Sequence, residues 1–130
     1  MRARAVLRAL GHARSELSIA LVDDFEIRRL NDGWRGLDRS TDVLSFSLLE
    51  GEGQRHRGEL LGDIVISVET AAAQASARRR GLDDEVARLL VHGVLHLLGH
   101  DHEDDEDARV MRAEERRVWK AVRELGAPRA

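Results

Sequence analysis

Four of the six histidines in this 130-residue chain fall within positions 92–102. His92 and His96 are four residues apart, and on a helix this spacing places both imidazoles on one face, about one turn apart. Two rings in this arrangement can bind one zinc ion through their nitrogens. The chain contains no cysteine, so histidine and carboxylate side chains must supply the ligands of any metal. The spacing therefore predicts a histidine-ligated metal site.

A third ligand must come from beyond the end of that helix. If the helix continued, His100 would lie about 12 Å from His92 along the axis, too far for rings that each bond a metal at about 2 Å. Gly99 can adopt a positive φ and reverse the chain, which returns His102 to the face of the first two histidines. We therefore predict one zinc ion per chain, held by His92, His96 and His102. His100 is left outside the ligand set.

The pattern H-x3-H-x2-G-x2-H matches the zinc-binding pattern of metzincin peptidases. Those enzymes carry a glutamate after the first histidine, whereas this chain has Gly93, so the usual peptidase base is absent. A purely structural zinc would need a closed fourth ligand. Asp101 is adjacent to His102 and is better suited to a hydrogen bond that orients a ligand imidazole. A helix with incidental surface histidines is the simplest alternative.

The elements that must position these residues follow from hydrophobic periodicity and from helix-ending glycines. Helices are predicted over residues 2–11, 24–32, 69–80, 84–98 and 104–125, and strands over residues 17–22, 42–48 and 59–67. Gly81 and Gly99 end the third and fourth helices, and a turn-prone loop over 50–58 joins the last two strands as a hairpin-like pair. Strands and helices do not alternate strictly. We predict an α+β fold, a small mixed sheet packed by helices in one zincin-like domain over residues 1–130.

Composition limits the classes of partner. The 24 acidic and 21 basic side chains give a net charge of -3, which argues against an indiscriminate nucleic-acid coat protein but allows a localised basic face. No apolar run approaches the roughly 20 residues that span a bilayer, and the first residues lack a secretory apolar region. These features predict a cytoplasmic protein without a membrane partner.

Three segments resemble the YbeY family of bacterial metal-dependent endoribonucleases, which are also described as ribosomal RNA maturation factors. The family pattern H-G-x-L-H-L-x-G-x-D-H is similar to residues 92–102, and W/Y-R-G-x-D-x-x-T-D-V-L-S-F is similar to residues 34–46. Residues 61–64, Leu-Gly-Asp-Ile, make the third match. Two positions depart from the family: Ser47 stands where proline is common, and His100 where tyrosine is frequent.

The resemblance implies a zinc-dependent endoribonuclease that prefers single-stranded RNA and acts in ribosomal RNA maturation and ribosome quality control. Its implied partners are ribosomal RNA and the small ribosomal subunit. It also implies that Arg35 acts beside the metal, where a guanidinium would neutralise the charge that develops on phosphorus oxygens. Without the resemblance, a loop salt bridge from Arg35 to Asp32 or Asp38 would be the simpler interpretation.

Two other functions stay open at this point. One is an RNA-binding or ribosome-binding assembly factor whose zinc only stabilises the fold, and the other is a metzincin-like metallopeptidase. The general base of a nuclease also stays open. Asp101, Glu59, His100, a metal-bound hydroxide and the substrate 2′-hydroxyl are the candidates.

Overall fold

A three-stranded mixed sheet lies at the centre of the structure, a computed structural model that describes residues 3–12, 14–47, 60–100 and 103–126. Its strands are β1 (Glu16–Val22), β2 (Val43–Ser47) and β3 (Leu60–Ser67). The strand order is β1-β3-β2, with β1 parallel and β2 antiparallel to the central β3. The antiparallel pairing of β2 with β3 confirms the predicted hairpin-like pair. The predicted loop over 50–58 lies outside the described residues.

Helices account for most of the remaining described residues. They are α1 (Ala3–Ala9), α2 (Asp24–Arg35), α3 (Val68–Ala77), α4 (Leu82–Leu97) and α5 (Asp105–Gly126). Their order along the chain confirms the predicted α-β-α-β-β-α-α-α sequence and the α+β class. Within the part of the chain described, no helix is both long enough and apolar enough to cross a membrane.

The central strand β3 is buried on both faces. Because successive side chains of a strand point to opposite faces, Ile64 and Ile66 join the main core cluster with Leu90 of α4. Val65, between them, joins a second cluster with Ile27 of α2. The sheet is therefore covered by α4 on one face and by α2 on the other.

Helix α4 is the central helix of the larger core. Ten of its 16 residues are buried, and α1 and α5 pack against it on the side away from the sheet. Val6 of α1 and both Met111 and Val118 of α5 belong to the same cluster as the α4 side chains. Burial on several sides holds α4 rigidly, and α4 carries His92 and His96.

The third helix ends earlier than predicted. It ends at residue 77 and not at residue 80, and Arg79 adopts a positive φ of 54°. The N–H of Arg80 donates to the carbonyl of Ala75 at 2.9 Å, a bond typical of a helix closed by a left-handed residue. Gly81, predicted to end this helix, is instead the N-cap of α4. This boundary prediction was wrong.

The physical reason for the early ending is a buried carboxylate on the next helix. The side chain of Glu85 is only 1% exposed, and it pairs with Arg78 at 2.9 Å and with Arg80 at 3.3 Å. A buried carboxylate needs such partners because an unpaired charge in the interior is costly. The two arginines can reach Glu85 because the chain turns after residue 77.

Candidate metal centre

The histidine pair lies where its spacing predicts, on one face of α4. The Nε2 atoms of His92 and His96 are 3.1 Å apart, and the two rings meet edge to face with their centroids 4.6 Å apart. Two nitrogens bound to one tetrahedral zinc at 2.0–2.1 Å would lie about 3.3 Å apart. The observed separation therefore fits two ligands of one zinc ion.

The other nitrogen of His92 is held by a carboxylate on α5. Nδ1 of His92 lies 2.8 Å from Oε1 of Glu115. An ionised carboxylate only accepts hydrogen bonds, so Nδ1 donates to Glu115, and in this tautomer the ring presents Nε2 to a metal. Ligand histidines in metal sites are oriented by this type of contact.

Glu115 was not predicted from the sequence. It follows His92 by 23 residues on a separate helix, and no local pattern shows which α5 residue faces the histidines. The acidic residues of α5 are numerous, so residue type alone does not select one of them.

The turn after α4 has the geometry predicted at Gly99, whose φ is +98°. The N–H of Gly99 donates to His96 at 3.0 Å and that of His100 donates to Leu95 at 2.9 Å, which is the Schellman pattern. Among the described residues, no three histidine or carboxylate side chains converge as a metal site. His102, the third predicted ligand, lies outside the described residues, so its role stays a prediction.

Gly93 explains why this site does not resemble that of a peptidase. A Cβ at Gly93 would lie 3.2 and 3.3 Å from two side-chain carbons of Ile64 in β3. Any side chain at this position, including the glutamate of a metzincin, would crowd Ile64, so the close packing of α4 on β3 favours glycine here.

Arg35 shares a cavity with the histidine pair. It is the last residue of α2, and the chain turns at Gly36, which has a φ of 69°. Arg35, Arg39, His92 and His96 line one cavity of about 580 Å³. The structure therefore brings Arg35 to the cavity of the two predicted ligands, 57 residues away from the first of them in the chain.

The salt-bridge interpretation of Arg35 does not fit the structure. Asp38, one of the two partners considered, is bound by Arg28 through contacts of 2.8 and 3.3 Å. Within the described ranges, no ion pair joins Arg35 to Asp32 or to Asp38. The guanidinium of Arg35 faces solvent at the cavity.

A second arginine at the cavity, Arg39, was not predicted. The buried side chain of Asn31 donates to the carbonyl of Arg39 at 2.9 Å and ties this loop to α2. Because the loop is tied back, two guanidinium groups line the same cavity as the histidines. Sequence spacing does not show this, since the turn at Gly36 separates the two arginines.

Of the three side chains predicted as a possible general base, the structure describes one. Asp101 and Glu59 lie outside the described residues. His100 is described and follows the Gly99 turn.

The fold and the histidine pair on its central helix define the class as an α+β protein with a small mixed sheet packed by helices. The chain belongs to the YbeY family: the family model described as endoribonuclease YbeY matches residues 3–123. This match confirms the resemblance found in the sequence motifs.

Individual relatives show the same family. The chain is 52% identical over 126 residues to endoribonuclease YbeY of Anaeromyxobacter sp. (strain Fw109-5), covering 97% of this chain and 64% of the relative. It is 46% identical over 119 residues to endoribonuclease YbeY of Pelotomaculum thermopropionicum, covering 89% of this chain and 78% of the relative. The chain thus spans less than two thirds of the length of the Anaeromyxobacter relative.

A solved structure shares the fold. The solution structure of a Thermotoga maritima protein superposes with a TM-score of 0.62 and 28% sequence identity, covering 93% of this chain and 75% of the other.

Proposed function

We propose that this chain is a zinc-dependent endoribonuclease. It hydrolyses phosphodiester bonds in single-stranded regions of ribosomal RNA, in the cytoplasm, during maturation and quality control of the ribosome. Ribosomal RNA and the small ribosomal subunit are its partners. The observation that carries this proposal is the pair of Nε2 atoms, 3.1 Å apart, in a cavity that Arg35 also lines. The names of the relatives support the nuclease activity.

His92 and His96, together with His102, would hold the zinc ion. Neutral imidazole nitrogens suit zinc, and Glu115 keeps the His92 ring in the orientation that presents Nε2. A zinc ion, when bound, supplies Lewis acidity toward a phosphoryl oxygen and activates water for attack.

The arginines of the cavity bind the phosphate. A guanidinium presents parallel N–H donors that match two phosphate oxygens, and it stays positively charged throughout the reaction. Arg35 and Arg39 therefore orient the scissile phosphate toward the histidines and stabilise the negative charge that develops in the transition state. Both side chains are positioned by α2, one at its end and the other through Asn31.

The experiment that tests this function measures zinc content and RNA cleavage on the same preparations. We expect about one zinc per chain by elemental analysis, and cleavage of single-stranded RNA that a chelator abolishes and added zinc restores. A His96→Ala preparation serves as the control for contaminating nuclease. Full zinc occupancy in the His92→Ala/His96→Ala double variant, or cleavage by His96→Ala at the wild-type rate, would contradict the proposal.

The third ligand needs its own comparison. We expect His102→Ala to lose zinc and cleavage, whereas His100→Tyr keeps both. The reverse result would assign the third ligand to His100, and the prediction from Gly99 would then be wrong.

A further inference from the structure

Two arginines of helix α5 are compensated by carboxylates. Arg109 is bound by Glu106 and Arg117 by Glu114, each glutamate lying three residues earlier on the helix. These pairs neutralise each other, so they present little net charge to a partner.

Four further cations of α5 have no such partner among the described residues. The spacing of Arg112, Arg116, Lys120 and Arg123 by four, four and three residues places them in one row, which is about 16 Å long. All four side chains are exposed, and none forms an ion pair with a carboxylate in the described part of the chain. A row of this kind concentrates positive potential on one surface.

A fifth cation comes from α4. The guanidinium of Arg88 lies over the ring of Trp119, 4.5 Å from its centroid. Partial burial, together with the positive charge of Arg80, lowers the pKa of Arg88 below its ordinary value.

These five cations border one cavity of about 650 Å³, and we refer to their surface as the basic face: Arg88, Arg112, Arg116, Lys120 and Arg123. Two carboxylates, Glu115 and Glu124, also line the cavity. Glu115 is bound to His92, so it is oriented toward the metal centre. Five cations against two carboxylates leave the cavity strongly positive in a chain whose net charge is -3.

The basic face is continuous with the candidate metal centre. Arg112 and Glu115 also line a neighbouring cavity of about 410 Å³ that reaches His92. His92 in turn lines the cavity of about 580 Å³ that holds Arg35 and Arg39. Neighbouring cavities with shared lining residues therefore link the basic face to the cavity of Arg35 and Arg39.

We propose that the basic face binds the backbone phosphates of an RNA strand that extends beyond the bond held at the histidine pair. This inference rests on the proposed function and assigns a second, separate contact surface to the same substrate. Arginine forks match phosphate oxygens, and contacts to phosphate position a nucleic acid without reading its sequence. The continuity with the metal centre favours RNA over an acidic protein segment, because a strand lying in the cavity of His92 leads directly onto this face.

The test compares two double variants that lose the same charge. Arg116→Ala/Lys120→Ala removes two cations of the basic face, and Arg28→Ala/Arg29→Ala removes two exposed arginines of α2 that are bound to carboxylates. Binding is measured by fluorescence anisotropy with 2′-O-methyl RNAs of about 4 and about 16 nucleotides. KM is measured with unmodified RNAs of the same lengths.

We expect the basic-face variant to bind the longer RNA about tenfold more weakly. The slope of log affinity against log salt concentration should become shallower by about 1.4, because each of the two lost phosphate contacts contributes about 0.7 on a single strand. Its KM for the longer RNA should rise, while kcat and the affinity for the short RNA stay near wild type. The control variant should match the wild type within about twofold.

Other outcomes would overturn the inference. If both double variants bind RNA equally, or if the basic-face variant loses affinity for polyglutamate while keeping its affinity for RNA, the face does not bind RNA. If the chain binds the longer RNA through this face but no preparation cleaves it, the proposed function fails and the binding inference stands. If the chain cleaves RNA and the two double variants are indistinguishable, only the inference fails.

Discussion

Glu115 fixes the ring of His92 from the side opposite to the histidine pair, through a contact of 2.8 Å. Removing such a partner in other metal sites typically lowers metal affinity by about 10- to 100-fold, because the ligand loses its orientation and its tautomer. We expect the same range for Glu115→Ala and a smaller loss for Glu115→Gln, whose amide oxygen still accepts a hydrogen bond. Zinc affinity is measured by competition with a chromophoric chelator.

A neighbouring glutamate provides the control for this prediction. Glu114 is on the same helix turn but is bound by Arg117 and not by a histidine. Glu114→Ala should therefore keep the zinc affinity of the wild type. An equal loss in the two alanine variants would mean that helix α5 acts on the site through its stability and not through the His92 contact.

Arg35 is expected to act in the transition state and not in metal binding. Arg35→Ala should keep the fold and the zinc content but lower kcat/KM for RNA cleavage about 100-fold, or about 3 kcal/mol. Arg35→Lys should also be impaired, because the planar fork is lost. Arg28→Ala, on the same helix but bound to Asp38, should cleave at the wild-type rate. Unchanged cleavage by Arg35→Ala would exclude Arg35 from the reaction.

At the scale of the elements, the end of α3 stores backbone strain at Arg79. Its φ of 54° costs a residue with a Cβ about 1–2 kcal/mol, whereas glycine adopts this conformation readily. The side chain is exposed, so little packing is lost when it is removed. We expect Arg79→Gly to raise the free energy of unfolding in urea by about 1 kcal/mol, after the extra chain entropy of glycine is deducted.

Arg79→Ala separates the backbone effect from the loss of a cation. Alanine carries the same Cβ penalty as arginine, so this variant should gain no stability. If the glycine variant has a lower free energy of unfolding than the alanine variant, the entropy cost of glycine is not offset and the positive φ carries no strain.

At the scale of the whole molecule, some carboxylates form stabilising contacts only in their ionised form. Protonation of these groups in acid is therefore expected to destabilise the fold. Asp24 accepts hydrogen bonds from the hydroxyls of Ser67 and Thr70, and these bonds hold its pKa below the ordinary value of 3.8. The bonds connect α2 with the start of α3. A carboxylate with a lowered pKa in the folded state stabilises the fold above its unfolded pKa, and the contribution is lost as pH falls through the folded value.

Asp24→Asn tests this acid sensitivity. The variant should have a lower free energy of unfolding than the wild type at neutral pH, and the difference should shrink as pH falls below the ordinary pKa of 3.8 toward the lower pKa of the folded carboxylate. Urea unfolding over this pH range measures the difference. A difference that stays constant with pH would assign the effect to packing.

The fold was largely predictable because its signals are local. Apolar periodicity located all eight elements in order, and φ at Gly99 is positive because a helix-ending glycine favours that conformation. The ending of α3 was not predictable, because the charge that causes it, Glu85, lies on the next helix. Local propensity contains no information about a carboxylate that becomes buried only in the folded chain.

The same distinction between local signals and tertiary contacts applies to the candidate site. The sequence by itself determined that His92 and His96 share a helix face, because helical geometry alone relates residues four apart. The tertiary structure decided which distant side chains meet them: Arg39 at the shared cavity, Glu115 on Nδ1 of His92, and the basic face beyond. The rotation of α5 against α4 and the path of the chain after α2 set these contacts, and both depend on packing among residues far apart in the chain.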